Sequence, residues 1–390
     1  MAWIIPEHML DPQQREFIDR QDYNRENIWI KGFPGSGKSV LLAYTLKQIK
    51  NRNPHASVVV VVFTRALVQM FKEAFAEMRV NVDVKTFYEF MNSSNHYDYV
   101  LSDEIQDMVP SVLRAMKSRA NHVVVSGDEN QSIYERDPKF REATVSPSEI
   151  RTLLSSNSFE LAIIHRLSSS IINVIQRFMP NMNVFSAKRD QTKTSTQVRL
   201  CEANGTSEEV KYIMREANKA TKIGETAAVL LPTQKEIVKF VNSALAAEGK
   251  SAWPEQLNRW GQLDFSAMNS YLSSKGLELQ YVGNGVGSFS ADDKKVVIMT
   301  YHSSKGLDFD NVFIPFMNSS LFIVPDETRS KTLFMVAMTR SRNNLYLTYS
   351  GYKHNYLNSF SSQCSAINIH DALASTTTFR PQNGGNVFGI

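Results

Sequence analysis

The chain holds only two cysteines, Cys201 and Cys364, in 390 residues. Two thiols supply neither a disulfide framework nor a cysteine-rich metal cluster, and they suit a reducing, cytoplasmic setting. Long apolar runs are also missing. The longest, Val58 to Phe63, is far too short to span a bilayer and reads as a buried parallel strand. Met1 to Leu10 carries Glu7 and His8 and has no signal-like apolar core. Charge of one sign is scarce too. A net charge of +4 permits a polyanionic partner without demanding one, because a nucleic-acid groove can be basic on a nearly neutral protein. What remains is an ordinary soluble composition, 42% hydrophobic and 21% charged, at a length that suits two or three domains, or two and a tail.

Against that background one stretch stands out, Gly32-Phe33-Pro34-Gly35-Ser36-Gly37-Lys38-Ser39. An apolar run, Ile28 to Ile30, precedes it and a helical pattern, Val40 to Ile49, follows. Strand, glycine loop and helix form the setting of a phosphate-binding loop. Gly32, Gly35 and Gly37 let backbone N–H groups turn inward without Cβ clashes, with Ser36 among them, and the helix N-terminus adds partial positive charge. Lys38 reaches the β- and γ-phosphates, and the Ser39 hydroxyl ligates Mg²⁺. The expected cofactors are therefore a nucleoside triphosphate and Mg²⁺.

A second strand tip supplies the matching acids. Tyr99 to Ser102 ends in Asp103-Glu104-Ile105-Gln106-Asp107. Asp103 is placed to hold the metal, and Glu104 to polarise the attacking water. The next strand, His122 to Ser126, leads to Gly127-Asp128 and then Gln131, whose amide is suited to sensing the γ-phosphate or its water. Upstream, Asp11 and Pro12 form a helix start, and Gln14 is either an adenine reader or part of a capped surface helix. With Val84 to Phe87, five strand-like runs alternating with helices argue an α/β fold with a doubly wound parallel sheet and its ligand at the strands' carboxyl ends. A second half repeats the alternation. Leu161 to Phe178 reads as a helix, as does Ser207 to Ala220 with Ser207 as its cap. Val198 to Cys201, Ala227 to Leu231, Lys295 to Thr300, Val312 to Ile314 and Leu345 to Thr348 read as strands, the last closing the sheet. The basic stretch Asn181 to Gln197 reads as a solvated loop. Trp253, Trp260 and Phe265 read as a small local core within the aperiodic residues 250–292.

In this order the motifs resemble those of superfamily 1A DNA helicases of the UvrD/Rep/PcrA type, from about Leu10 to Ser350. The resemblance implies two RecA-like domains, 1–158 and 159–350, with a small insert near 250–292, a partly flexible tail at 351–390, and ATP in the cleft between the domains. It places Gln14 and His165 at the adenine, and Gly306 and Asp308 among the nucleotide contacts. Arg166 becomes a γ-phosphate contact and Arg340 an arginine finger, joining Lys38, Glu104 and Gln131 as the hydrolytic set. It assigns nucleic-acid contacts to Phe63, Thr64, Arg65, Thr86, Phe87, Tyr134, Arg136, Thr300 and His302.

The chain departs from that family in several places. Thr64 and Asp103 are too close for the usual first insert, and the second insert is small, so the large 1B and 2B subdomains are absent or vestigial. Arg136 stands where an aromatic is usual, Asp308 where glutamate is, and His165 where tyrosine is. The leading expectation is an ATP-driven 3′-to-5′ translocase or helicase on single-stranded or partly duplex DNA. An ATP-switched sensor subunit that licenses a partner such as a nuclease, and an RNA-directed motor, stay open.

Overall fold

The computed structural model describes residues 4–128, 131–180, 188–189, 196–288 and 294–375. Its first sheet has six parallel strands: β1 (Asn27–Gly32), β2 (Val58–Val62), β3 (Asp83–Thr86), β4 (Tyr97–Ser102), β5 (Ala120–Gly127) and β6 (Ser156–Leu161), in the order β3-β2-β4-β5-β1-β6. Alternation along β2 explains its uninterrupted valines. Val58, Val60 and Val62 enter a core under the helices Pro12–Arg20, Lys38–Arg52 and Arg65–Glu77, whereas Val59 and Val61 enter one on the opposite face. A strand covered on both sides has no polar face to show.

Short strands β7 (Ile163–Ile164) and β8 (Lys188–Arg189) pair with each other. The second sheet is also parallel. It comprises β9 (Arg199–Ala203), β10 (Ala227–Leu231), β11 (Leu279–Tyr281), β12 (Val296–Thr300), β13 (Phe309–Ile314), β14 (Ser341–Ser350) and β15 (Ser365–Asn368), ordered β11-β12-β10-β13-β14-β9-β15. Here β10 splits its side chains in the same way, with Ala228 and Leu230 facing one core and Val229 and Leu231 the other. Two parallel-sheet α/β domains of this kind form the RecA-like phosphate-loop fold expected from the sequence.

Several expectations need correction. β6 pairs with β1 from Asn27↔Ser156 to Gly32↔Leu161, so the first sheet has a sixth strand that continues past residue 158. The helix expected from Leu161 begins only at Ser169, capped by Ser168, because His165 and Arg166 are tied by their N–H groups to the Gly35 carbonyl. Gly205, not Ser207, caps the helix Thr206–Lys222. β14 does not close its sheet, since β9 and then β15 lie beyond it. Residues 351–375 therefore include an integral strand and helix, and the rest of the tail lies outside the described residues. Trp253 and Phe265 are buried as expected, but Trp260 is 67% exposed, lying over the guanidinium of Arg259. Most of Asn181 to Gln197, together with Glu129 and Asn130, also lies outside the described residues. No described helix is long and apolar enough to cross a membrane.

Candidate nucleotide cleft and nucleic-acid groove

Three neighbouring strand ends build the cleft. The loop Gly32 to Ser39 follows β1, Asp103 and Glu104 follow β4, and Asp128 follows β5. Gly35 and Gly37 both take positive φ, at 77° and 87°. Each is also crowded: a Cβ on Gly35 would strike Arg166, and one on Gly37 would strike the Gln14 amide. Only glycine meets both conditions. Lys38 is 9% exposed and donates to the carbonyls of Gly32 at 2.8 Å and Phe33 at 3.0 Å. Burial lowers its pKa, and Asp128, Glu104 and Asp103 oppose the shift.

The two expected metal donors face each other, Ser39 Oγ donating to Asp103 Oδ2 at 2.5 Å. Ser126 Oγ holds the other oxygen of Asp103 at 2.6 Å. Burial and the neighbouring Glu104 push the Asp103 carboxyl up. One carboxylate and one hydroxyl fit Mg²⁺, which keeps several waters and takes the rest of its oxygens from substrate phosphates. Among the described residues no cluster of three or more His, Cys, Asp or Glu offers an all-protein cage. A bound Mg²⁺ would neutralise phosphate charge.

Glu104 sits in a left-handed conformation, φ 54° and ψ 42°, which is strained for a residue with a side chain. Gln106 Nε2 donates to its carboxylate at 2.5 Å. Burial alone would raise its pKa. Lys305, Lys38 and Arg340 outweigh burial and keep the carboxyl below its ordinary value, hence ionised. A buried carboxylate held in that state is suited to orient a water.

The second domain brings cations to this acid. Arg340 is 2% exposed, and its guanidinium donates to the Val336 carbonyl at 2.9 Å, to Thr339 Oγ1 at 2.9 Å and to the Leu307 carbonyl at 3.2 Å. Burial first, then Arg166, lowers its pKa to about 9. Arg166 lies on Gly35 and bonds Asp308 at 3.2 Å, while its buried Nε has no partner. The buried Ser36 hydroxyl is likewise without one. These orphaned groups beside the glycine loop fit a phosphate-bearing ligand.

Other expected residues have protein partners of their own. Gln14 is 1% exposed; it bonds the Ser36 carbonyl through Nε2 at 3.1 Å and accepts from Asp11 N–H at 3.1 Å, so it braces the loop. His165 pairs with Asp11 at 2.6 Å. Asp308 is gripped by Arg166 and Arg342; burial would raise its pKa, but the two arginines hold it below the ordinary value. Gly306 packs against Leu67. Gln131 turns Nε2 toward Met335 Sδ, 4.0 Å away in the second domain.

Sequence reasoning missed the pairing of Lys305 with Asp107. Lys305 enters from the second domain, bonds Asp107 and the Gln131 carbonyl, and lies 3.6 Å from Glu104. All three side chains are buried. Burial pushes the Asp107 carboxyl up to about 6, against the pull of Lys305. Asp107 closes the acidic strand tip and Lys305 directly precedes Gly306, but nothing in the sequence paired them.

A second cleft of about 920 Å³ opens between the domains. Phe63, Thr64, Arg65, Thr86 and Tyr134 line it from the first domain, and Thr300 and His302 from the second. Rings step across it. Phe63 and Tyr134 are 4.7 Å apart, and Tyr134 and His302 are 5.6 Å apart, the latter pair spanning the domain boundary. Burial lowers the His302 pKa to about 4, so the ring is neutral at neutral pH. Two expected contacts are not on this surface. Phe87 is 2% exposed and stacks behind Phe63 at 5.1 Å, so it supports the floor without reaching the groove. Arg136 turns away to the Arg141 carbonyl.

The viral superfamily 1 RNA helicase core model matches residues 28–234, more than half of the chain. The chain belongs to the superfamily 1 helicases. The UvrD-like helicase C-terminal domain matches residues 275–352 of this helicase core. Among solved structures, arterivirus nonstructural protein 10 (helicase) is similar at 14% identity with a TM-score of 0.44, over 87% of this chain and 62% of that one. Its complex with DNA gives 14%, 0.42, 83% and 60%. The C-terminal domain of a possible DNA helicase from Lactobacillus plantarum WCFS1 gives 12%, 0.35, 52% and 98%. This helicase core thus spans under two thirds of the arterivirus chains. No curated protein matches it.

Proposed function

We propose that this helicase core is an ATP hydrolase that steps along a single nucleic-acid strand, with the domains closing on ATP and parting after hydrolysis. The observation that carries the reading is the meeting of charges across the cleft, all buried except the half-buried Arg166: Arg166, Arg340 and Lys305 from one side, Lys38, Glu104 and Asp107 from the other. A γ-phosphate supplies the negative charge that balances these cations. Lys38 leaves its loop carbonyls for the phosphates, Glu104 orients water, and Arg166 and Arg340 stabilise the transferring group. Ser39 and Asp103 hold Mg²⁺. Loss of the phosphate removes an anion shared by Arg166 and Arg340, whose charges oppose each other, and this favours reopening. The strand lies in the ring-lined groove between the same two domains, so opening and closing change its grip.

The resemblance to UvrD-type enzymes favours DNA as substrate and 3′-to-5′ movement. The extent of the match to the viral RNA helicase core favours RNA as a second reading. ATPase assays with no strand, oligothymidylate or oligouridylate test both. Strong stimulation by one strand is expected, with turnover falling about 10³-fold or more in Lys38→Ala and Glu104→Gln. Turnover indifferent to both strands would refute the motor. Stimulation without translocation or strand displacement would leave an ATP-switched sensor.

A further inference from the structure

Residues 250–292 hold no helicase motif, yet part of them reaches the groove. Val282 to Ser288 lines its second-domain wall. Gly283 and Val286 form an antiparallel bridge, with N–H to O distances of 3.0 and 2.8 Å. Between them Asn284 and Gly285 take φ of 50° and 79°. That is the mirror-image hairpin turn for which Asn-Gly is the preferred pair.

Such a turn is by itself only a way to reverse a chain. Its position and its unpaired groups say more. Gly283 is seated on the strand-contact segment of its own domain: a Cβ there would lie 3.0 Å from Ser303 Oγ and 2.8 Å from the Tyr281 hydroxyl. Gly285 extends to the other domain, where a Cβ would lie 2.9 Å from Arg65 Nη1. The turn therefore reaches from the second domain to the first-domain side of the groove. Asn284 at its tip is exposed, and among the described residues neither its amide nor the N–H groups of Asn284 and Gly285 has a hydrogen-bond partner.

We propose that the Asn284-Gly285 turn is a strand-binding element, holding single-stranded nucleic acid against the Phe63–Tyr134–His302 floor. The Asn284 amide and the adjacent N–H groups donate to phosphate or base oxygens, and Arg65 supplies the opposing cation. Because the turn rides on the second domain and the rings are shared between both, the strand is gripped from two bodies that move apart. This rests on the groove being the strand site.

The test is fluorescence anisotropy with labelled oligothymidylate and oligouridylate, on Asn284→Asp, Asn284→Ala and Tyr134→Ala. Asp-Gly suits the same turn, so Asn284→Asp keeps the backbone while replacing donors with a charge that repels phosphate. Dissociation constants should rise about 10-fold for Asn284→Asp and about 3-fold for Asn284→Ala. ATP turnover without nucleic acid should be unchanged in both. A 4-thiouridine-bearing oligouridylate should also crosslink to the peptide carrying residues 282–288, a readout independent of any variant's folding. Wild-type affinity in Asn284→Asp, or crosslinks confined to the first domain, with Tyr134→Ala still weakened, overturns the turn's role and leaves the groove reading standing. Failure of wild type to bind either strand sinks both.

Discussion

The nucleotide cleft is built from charges taken out of water, and the groove from rings left partly in it. Lys38, Asp103, Glu104, Lys305 and Arg340 are each at most 9% exposed. In the groove Phe63 and Tyr134 are half-buried, and Asn284 and Gly285 are exposed. The difference suits the two tasks proposed for them. Stabilising a transferring phosphoryl group needs charges fixed in advance, in a medium where they are strong. A strand that passes through must be released at every step, and ring stacking tolerates any base. The cleft is therefore brittle to substitution and the groove graded.

Arg340 tests the brittle side most severely. Its guanidinium is fixed by three backbone and hydroxyl partners, yet its charge is felt at Glu104. Arg340→Ala should lower ATP turnover about 10³-fold or more while ATP still binds. Single-turnover hydrolysis beside a nucleotide-binding titration checks it, with Arg340→Lys as the variant that keeps a charge and disturbs the fold less. Full turnover in Arg340→Ala would mean that the second domain does not complete the site.

The Lys305–Asp107 pair sharpens the same contrast through pH. Asp107 has its pKa raised from 3.8 to about 6 in the folded protein. Its contribution to stability is thus full below pH 3.8 and lost as pH rises through 6. Turnover should run the other way, because the interdomain ion pair needs the ionised carboxylate. As pH falls from 7.5 to 5.5, strand-stimulated ATPase should drop several-fold, an apparent pKa near 6 marking the loss. Asp107→Asn should be slower throughout and should lose that inflection. His302 stays neutral over this range, so strand binding should not follow the same curve. An inflection near 6 that survives in Asp107→Asn would assign it to another group.

The sequence revealed whatever is encoded locally. The glycine loop, the Asp103-Glu104 tip and the all-valine β2 each carry their own reason within a few residues. The edge strand β3 showed, but two half-polar edge strands did not. β6 (Ser-Asn-Ser-Phe-Glu-Leu) and β15 (Ser-Ala-Ile-Asn) are half-polar because an edge is partly wet, and only pairing with β1 and β9 makes them strands. Contacts between domains were the other blind spot. Lys305 and Asp107 are 198 positions apart, and no periodicity joins them. The bracing contacts of Gln14 and Asp308 were hidden even within one domain, because each is defined by a partner from another element, Ser36 for one and Arg166 with Arg342 for the other.

The smallest expected effect separates the two regions most cleanly. The groove's lining cations are Arg65, Arg342 and whatever the strand itself induces, and Arg342 is already committed to Asp308. Glu73, Glu77 and Glu89 stand on the same wall. A strand bound mainly by ring stacking and the Asn284-Gly285 turn therefore releases few counterions. The logarithm of the association constant should fall against the logarithm of salt with a slope of about −1, the value for one or two phosphates on a single strand. Anisotropy titrations across a salt series measure it. A slope of about −4 or steeper would place the strand on a basic surface elsewhere on the molecule and break the division between a charged cleft and a stacking groove.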